Sequence, residues 1–231
     1  YEGYFNDKKK AAGNIRKGLK RNGAKLIICL IDGGSKFDER WNVGVTNYRS
    51  DYKFWLEKIL KETWLGVIIK SKGPGSLRKR LGPVSELLSM AIDTGRCYFS
   101  DKSNYFDKNL NYRVADASLA SDIAIHSCLY AGTAGLEAKL AGAPTLFFDR
   151  FGLKDSQFYK LGLNEVVFNN WEKMWKVIKD KIERNEIPLI GDWSPIIDDL
   201  DPFRDGKAVY RMNAFLNYLL EGFKQDLARD D

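Results

Sequence analysis

The sequence has one histidine and three cysteines in 231 residues, and these scarcities set the first limits. A zinc site needs clustered Cys and His ligands. With Cys29, Cys97 and Cys128 far apart, no CxxC spacing and His126 alone, no metal centre is expected. Three cysteines cannot staple a scaffold of this length either. All three lie in or beside apolar runs (LIICLI, RCYF, IHSC), which reads as reduced core thiols and a cytoplasmic setting. No stretch approaches the roughly 18 uninterrupted apolar residues of a membrane span, and no signal peptide opens the chain. Internal repeats and low-complexity tracts are missing. Neither G-x-x-x-x-G-K-[ST] nor GxGxxG occurs, which disfavours P-loop ATP hydrolysis and a nicotinamide dehydrogenase. The chain opens on Tyr1 rather than Met, as expected of a processed chain or an excised segment.

What is present is a folding composition: 44% hydrophobic and 29% charged residues, enough for one sizeable core or two small ones. The net charge of +6 is unevenly spread. Residues 1–115 hold 23 Lys+Arg against 12 Asp+Glu, and residues 116–231 hold 14 against 19. A basic first half points to phosphates, nucleic acid or an anionic membrane surface, or else to a solvated basic face. Aromatics are not interleaved with the Lys/Arg clusters and no RNA- or DNA-binding motif is present, so nucleic acid is not expected as a partner. Loose electrostatic attachment to an inner membrane surface stays open.

Along the chain, short apolar runs alternate with helical periods. The first 25 residues are basic and helix-compatible, with Ile15 and Leu19 on one face. Strands are expected at 26–32, 65–70, 97–99, 123–127, 144–149 and 165–168. Helices are expected at 51–63, 85–95, 115–122, 130–142, 170–184 and 206–223, with a helical turn or two at 155–162. Unbroken rather than alternating apolar runs indicate strands buried on both faces, hence an α/β domain with a mostly parallel sheet. The expected organisation is a basic N-terminal helical segment (1–25), a Rossmann-like domain (26–205), and a closing helix with an acidic tail (206–231). Trp55, Trp171 and Trp175 fall on amphipathic helix faces and read as core. Tyr210, Phe215, Tyr218 and Leu219 read as the buried side of the closing helix.

Ligands of open parallel sheets bind outside the carboxyl ends of the strands. The residues that follow the strands are therefore the candidates: Asp32 to Ser35, Lys70 to Arg80, His126 to Glu137, and Asp149 to Gly152. In ASDIAIHSCLYAGTAGLEAKLAGAPTLFFD (120–149), Gly132, Thr133, Ala134 and Gly135 open a helix whose first amides can hold phosphate. Glu137, one turn on, can accept bonds from two sugar hydroxyls. The same residues also fit a plain helix start packed against the sheet. Lys70, Lys72, Arg78, Lys79 and Arg80 can neutralise a phosphate leaving group or form a solvated basic loop. Arg150 can meet a donor carboxylate or phosphate, or make an ion pair. His126 ends the strand feeding the Gly132 turn. It is either a satisfied structural residue or a weak catalytic candidate touching base or leaving group.

The order strand, turn, G-T-A-G-L-E, A-x-x-A-G-x-P, apolar strand resembles the donor half of GT-B glycosyltransferases. It is similar to the bacterial glycosyltransferase-like proteins of surface polysaccharide biosynthesis. TLFFDRFG, FYKLGLNEVVFNNWEKMWKVI and LDPFRDGKAVYRMNAFLNYLL extend that similarity over residues 115–223; residues 26–80 agree in layout only. The resemblance implies a Rossmann-like domain that binds a nucleotide-sugar as donor substrate, with no cofactor and no metal. By position it puts the donor phosphate at Gly132 to Gly135, the ribose at Glu137 and a leaving-group cation at Lys70 or Lys72. A glycan or lipid-linked acceptor would sit on a separate N-terminal domain, so this chain would be weak or inactive in transfer by itself. A sugar-nucleotide epimerase of similar fold, for which a single histidine is a poor endowment, and a non-catalytic phosphate- or membrane-surface-binding module remain alternatives.

Overall fold

The computed structural model describes residues 2–34, 44–100, 113–130, 132–187, 190–203 and 205–225. Ser35 and the acidic tail at 226–231 lie outside the described residues. Six strands form one sheet: β1 (Leu26–Ile31), β2 (Leu65–Lys70), β3 (Cys97–Phe99), β4 (Ile123–His126), β5 (Thr145–Phe148) and β6 (Val167–Phe168). Every pairing is parallel, and the order is β3-β2-β1-β4-β5-β6. The expected Rossmann-like α/β fold is what the chain adopts.

Helices cover both faces because both faces are apolar, as unbroken strand runs require. α2 (Val45–Lys61), α4 (Ser85–Asp93) and α7 (Trp171–Glu183) pack on the face formed by Leu26, Ile28, Leu30, Val67, Ile125 and Phe148. α1 (Glu2–Arg21), α5 (Val114–Leu119) and α6 (Thr133–Leu140) cover Ile27, Cys29, Ile31 and Ala124 on the other face. Beside them, Phe147 packs with Phe158 and Trp193, the latter just ahead of α8 (Ser194–Leu200). The basic first segment is thus part of the domain. Its Ala12 and Leu19 are buried, Arg16 pairs with Asp122, and Lys17, Lys20 and Arg21 are exposed.

The tryptophans pack as their helical spacing predicts. Trp171 stacks on Phe148 at 3.7 Å between ring centroids and meets Trp55 edge-on at 5.6 Å, and Trp55 meets Trp175 at 6.0 Å. Such side chains contribute roughly 1.5–3 kcal/mol each by burial, with more from ring geometry. All three cysteines are buried, and none is in a disulfide. Burial pushes the thiols of Cys29 and Cys97 up to about 12, so they are inert rather than nucleophilic.

Two expectations need correction. The basic segment after β2 is not an open loop: Leu77–Leu81 forms the short helix α3, which buries Leu77, Arg80 and Leu81. The last helix, α9 (Ala208–Lys224), buries no residue. Tyr210, Phe215, Tyr218 and Leu219 are 75%, 61%, 68% and 47% exposed, so they are not the buried side of a closing helix. Their spacing records a need for cover, but the described residues do not supply it. No helix among the described residues is long and apolar enough to cross a membrane.

Candidate functional site

The strand order reverses between β1 and β4, whose successors lead to helices on opposite faces. The carboxyl edge at such a reversal is the place where sheets of this kind take ligands. A shallow, open crevice with a cavity volume of about 30 Å³ lies at that point, lined by Gly33, Gly34, Gly44, Asn47, Tyr48, Asp51, Ser127, Cys128, Tyr130, Arg150 and Phe151. It collects the ends of β1, β4 and β5 and the first turns of α2.

Asp32 organises the floor. Its carboxylate is buried and accepts four hydrogen bonds. The hydroxyls of Tyr48 and Tyr52 donate to Oδ2 at 2.6 and 2.7 Å, and the amides of Gly34 and Lys72 donate to Oδ1 at 3.0 and 2.8 Å. One carboxylate therefore ties the turn after β1 to α2 and to the segment after β2. Burial, followed by the charge of Asp32, raises both phenols above their ordinary range, so they remain donors. Gly33 is required by close approach. A Cβ there would stand 2.7 Å from Cβ of Cys128, where the loops after β1 and β4 touch.

α2 begins at this crevice. Its N-cap is Gly44, which has no side chain to cap with, and its first turn carries no acidic residue. A helix start of this kind carries a partial positive charge that favours anions. Opposite stands Arg150, from the segment after β5. It forms an ion pair with Asp51 of α2, and its guanidinium lies 5.2 Å from the ring centroid of Phe148. The indole N–H of Trp171 donates to the same Asp51 Oδ1 at 2.6 Å. Burial pushes the Asp51 carboxyl up to about 6, against the lowering effect of Arg150 and of the Trp171 bond.

The other candidates fall around this centre rather than in it. Lys70 turns its Nζ to the neighbouring Ser71 carbonyl at 3.2 Å. Lys72 is exposed, with its alkyl chain beside Gly34. Arg80 is drawn inward, donating to Ser71 Oγ at 3.0 Å and to the Gly73 carbonyl at 2.8 Å, with its guanidinium 4.8 Å from the centroid of Tyr48. The start of α6 borders the same edge on the opposite face, with Thr133 exposed and Ala134 partly buried. Its glycines answer packing demands. A Cβ on Gly132 would meet the Phe158 ring at 2.4 Å, and one on Gly135 the Phe147 ring at 2.4 Å. Glu137 Oε1 accepts the Ala115 amide at 3.0 Å at the start of α5. The structure thus brings Arg150 into the crevice but leaves Gly132, Thr133, Ala134, Gly135, Glu137, Lys70 and Lys72 outside its lining.

His126 pairs in register with Ile31 and is 1% exposed, and its Nδ1 has no partner among the described residues. Burial pushes the imidazole down to about 4. The unfolded chain takes up a proton near 6.5 that the fold refuses, so His126 removes stability as pH falls from 6.5 towards 4, on the order of 3 kcal/mol. Asp51 acts in the opposite sense, since a carboxyl raised from 3.8 to about 6 favours the fold as it gains its proton. Replacing His126 by Leu leaves the Asp51 effect alone. Urea unfolding should show His126→Leu gaining on the wild type between pH 6.5 and pH 4, whereas parallel pH profiles would mean that His126 titrates normally.

Sequence reasoning missed Asn47 and Tyr48 because it began the helix at residue 51, and it passed over Asp51 and Tyr52 as ordinary positions of an amphipathic helix. The signal was available: Tyr48, Tyr52, Trp55, Leu56 and Ile59 form one buried stripe at helical spacing. Comparison of the chain with protein-family models, with curated proteins and with solved structures finds no match.

Proposed function

We propose that the crevice between β1 and β4 binds a nucleotide-activated sugar through its phosphates, and that the chain is the donor-binding part of a glycosyltransferase of bacterial surface-polysaccharide assembly. The observation that carries this reading is the convergence on one crevice of the α2 start, the close glycine turn at Gly33 and Gly34, and the Arg150 guanidinium. Backbone amides at a helix start and a planar guanidinium both favour a diphosphate. In transfer, an acceptor hydroxyl oxygen bonds to the anomeric carbon and gives up its proton, while the bond from that carbon to the donor's phosphate oxygen breaks and its electron pair stays on the nucleotide. The groups that bind the phosphate in the ground state then stabilise its growing charge. Thr133 and the α6 start at the same edge, together with Lys72, are the second line of contacts that this reading assigns to the donor. The acceptor, a glycan or lipid-linked sugar, would come from the far side of the crevice on another domain.

Thermal-shift measurements with the CMP, UDP, GDP and dTDP forms of sugar donors test the reading. One nucleotide class should raise the unfolding midpoint, and Arg150→Gln should remove most of that rise. At a ligand concentration of 100 times Kd the stabilisation is about 2.7 kcal/mol, a few degrees for a domain of this size. No shift with any of them contradicts the reading and favours a module that binds something else.

A further inference from the structure

We infer that Asp51 is an internal competitor for the crevice's anionic ligand: it pairs with Arg150 and hands it over when a diphosphate binds. The inference rests on the crevice being an anion site, as proposed above, and adds how that site is controlled.

The asymmetry of the Asp51 contacts carries it. Two donors, the Arg150 guanidinium and the Trp171 indole, share a single oxygen, Oδ1. If Arg150 swings away, Asp51 keeps the Trp171 bond and is not left unpaired in a buried place. Arg150 is the more accessible partner, its side chain 27% exposed against 13% for Asp51, and both line the crevice. Its other neighbour is the face of Phe148, a contact that permits rotation. Trp171 is fixed by stacking on Phe148 and by Phe54 and Trp55 around it. Only the arginine side of the pair is therefore free to exchange partners. A carboxylate opposite the anion's binding groups also repels the anion, so occupancy requires the Arg150 charge to move from one oxygen acid to the other.

The consequence runs against ordinary expectation for a residue in a binding crevice: neutralising Asp51 should strengthen binding. In Asp51→Asn, Oδ1 remains to accept from Trp171, while the charge that retains Arg150 is gone. The ligand then no longer competes for a fraction of the sites. Inorganic pyrophosphate, which needs no matching nucleobase, should bind about five- to tenfold more tightly to the variant, and Arg150→Gln should bind at least about tenfold more weakly than wild type.

Titration calorimetry of the full chain with pyrophosphate, and in parallel with each nucleotide diphosphate, reads these differences. Tighter pyrophosphate binding by Asp51→Asn with no nucleotide bound by either protein supports the exchange and sinks the nucleotide reading. A nucleotide that binds wild type but binds Asp51→Asn equally or more weakly overturns the exchange and leaves the nucleotide reading intact. No binding of any anion to either protein overturns both. A measurement on the wild type guards against a variant that does not fold. The indole N–H resonance of Trp171, assigned by its loss in Trp171→Phe, should move as pyrophosphate saturates the site, because its shared acceptor loses one donor. A signal unmoved at saturation overturns the exchange.

Discussion

Asp32→Ala is expected to destabilise the chain by about 3–5 kcal/mol, because two buried phenols and two amides lose their acceptor at about 1–3 kcal/mol for each buried group. The Asp32 carboxylate is 5% exposed and serves four donors. Its loss strands two buried phenols and releases the Gly34 and Lys72 amides. For a domain of this length about 2–4 °C follows each kcal/mol, so the unfolding midpoint should fall by about 6–20 °C. Asp32→Asn should fall between, because Oδ1 still accepts both amides while the nitrogen that replaces Oδ2 faces two hydroxyls that were donating to it. Tyr48→Phe and Tyr52→Phe, which each remove one donor and leave an acceptor with three others, should cost about 1 kcal/mol apiece. Equal, small effects for Asp32→Ala and the two phenylalanine variants would mean that the network holds nothing together. Because the loops after β1 and β2 both hang on this carboxylate, the crevice should lose its shape with the same substitution.

Trp171→Ala should be of similar size, about 3–5 kcal/mol, as for other large aromatic truncations in cores. The ring stacks on Phe148 at 3.7 Å, closes the cluster with Phe54 and Trp55, and holds Asp51 by its N–H. Trp171→Phe separates the two roles. It should retain most of the packing and lose the hydrogen bond, leaving Asp51 with Arg150 alone. Denaturant unfolding of the pair reads the difference: a large loss for Ala and about 1–2 kcal/mol for Phe. A loss in Trp171→Phe as large as in Trp171→Ala would assign the stability to the Asp51 bond instead of to the stacking.

The parallel sheet was legible because its strands are buried on both faces, and runs such as LIICLI and LGVIIK leave no polar face to confuse the period. Trp55, Trp171 and Trp175 were placed in the core by spacing alone, and they pack there. What spacing could not convey is direction across elements. Arg80 sits in a run of cations that looks solvated, yet the Ser71 hydroxyl and the Gly73 carbonyl draw it inside. Glu137 lies where a ribose-binding carboxylate is expected, but it meets the Ala115 amide, a partner 22 residues away. Gly132 and Gly135 read equally well as phosphate-binding or packing residues in sequence, and only the rings of Phe158 and Phe147 decide what presses on them. Arg150 was visible as a candidate because it follows a strand. Asp51 was not, because it is one acidic residue on an amphipathic helix, and its meaning depends on an arginine and a tryptophan about a hundred residues further along the chain. The apolar pattern of α9 was equally plain, but an apolar pattern does not say what covers it.

Amide hydrogen exchange with and without saturating nucleotide diphosphate tests the central claim, that the β1–β4 crevice is the ligand site, most directly. Protection should appear at Gly33 and Gly34, at the first turns of α2, and at residues 127–130 and 150–151, with the rest of the sheet unchanged. Protection elsewhere, or none at a concentration that saturates binding, would contradict it.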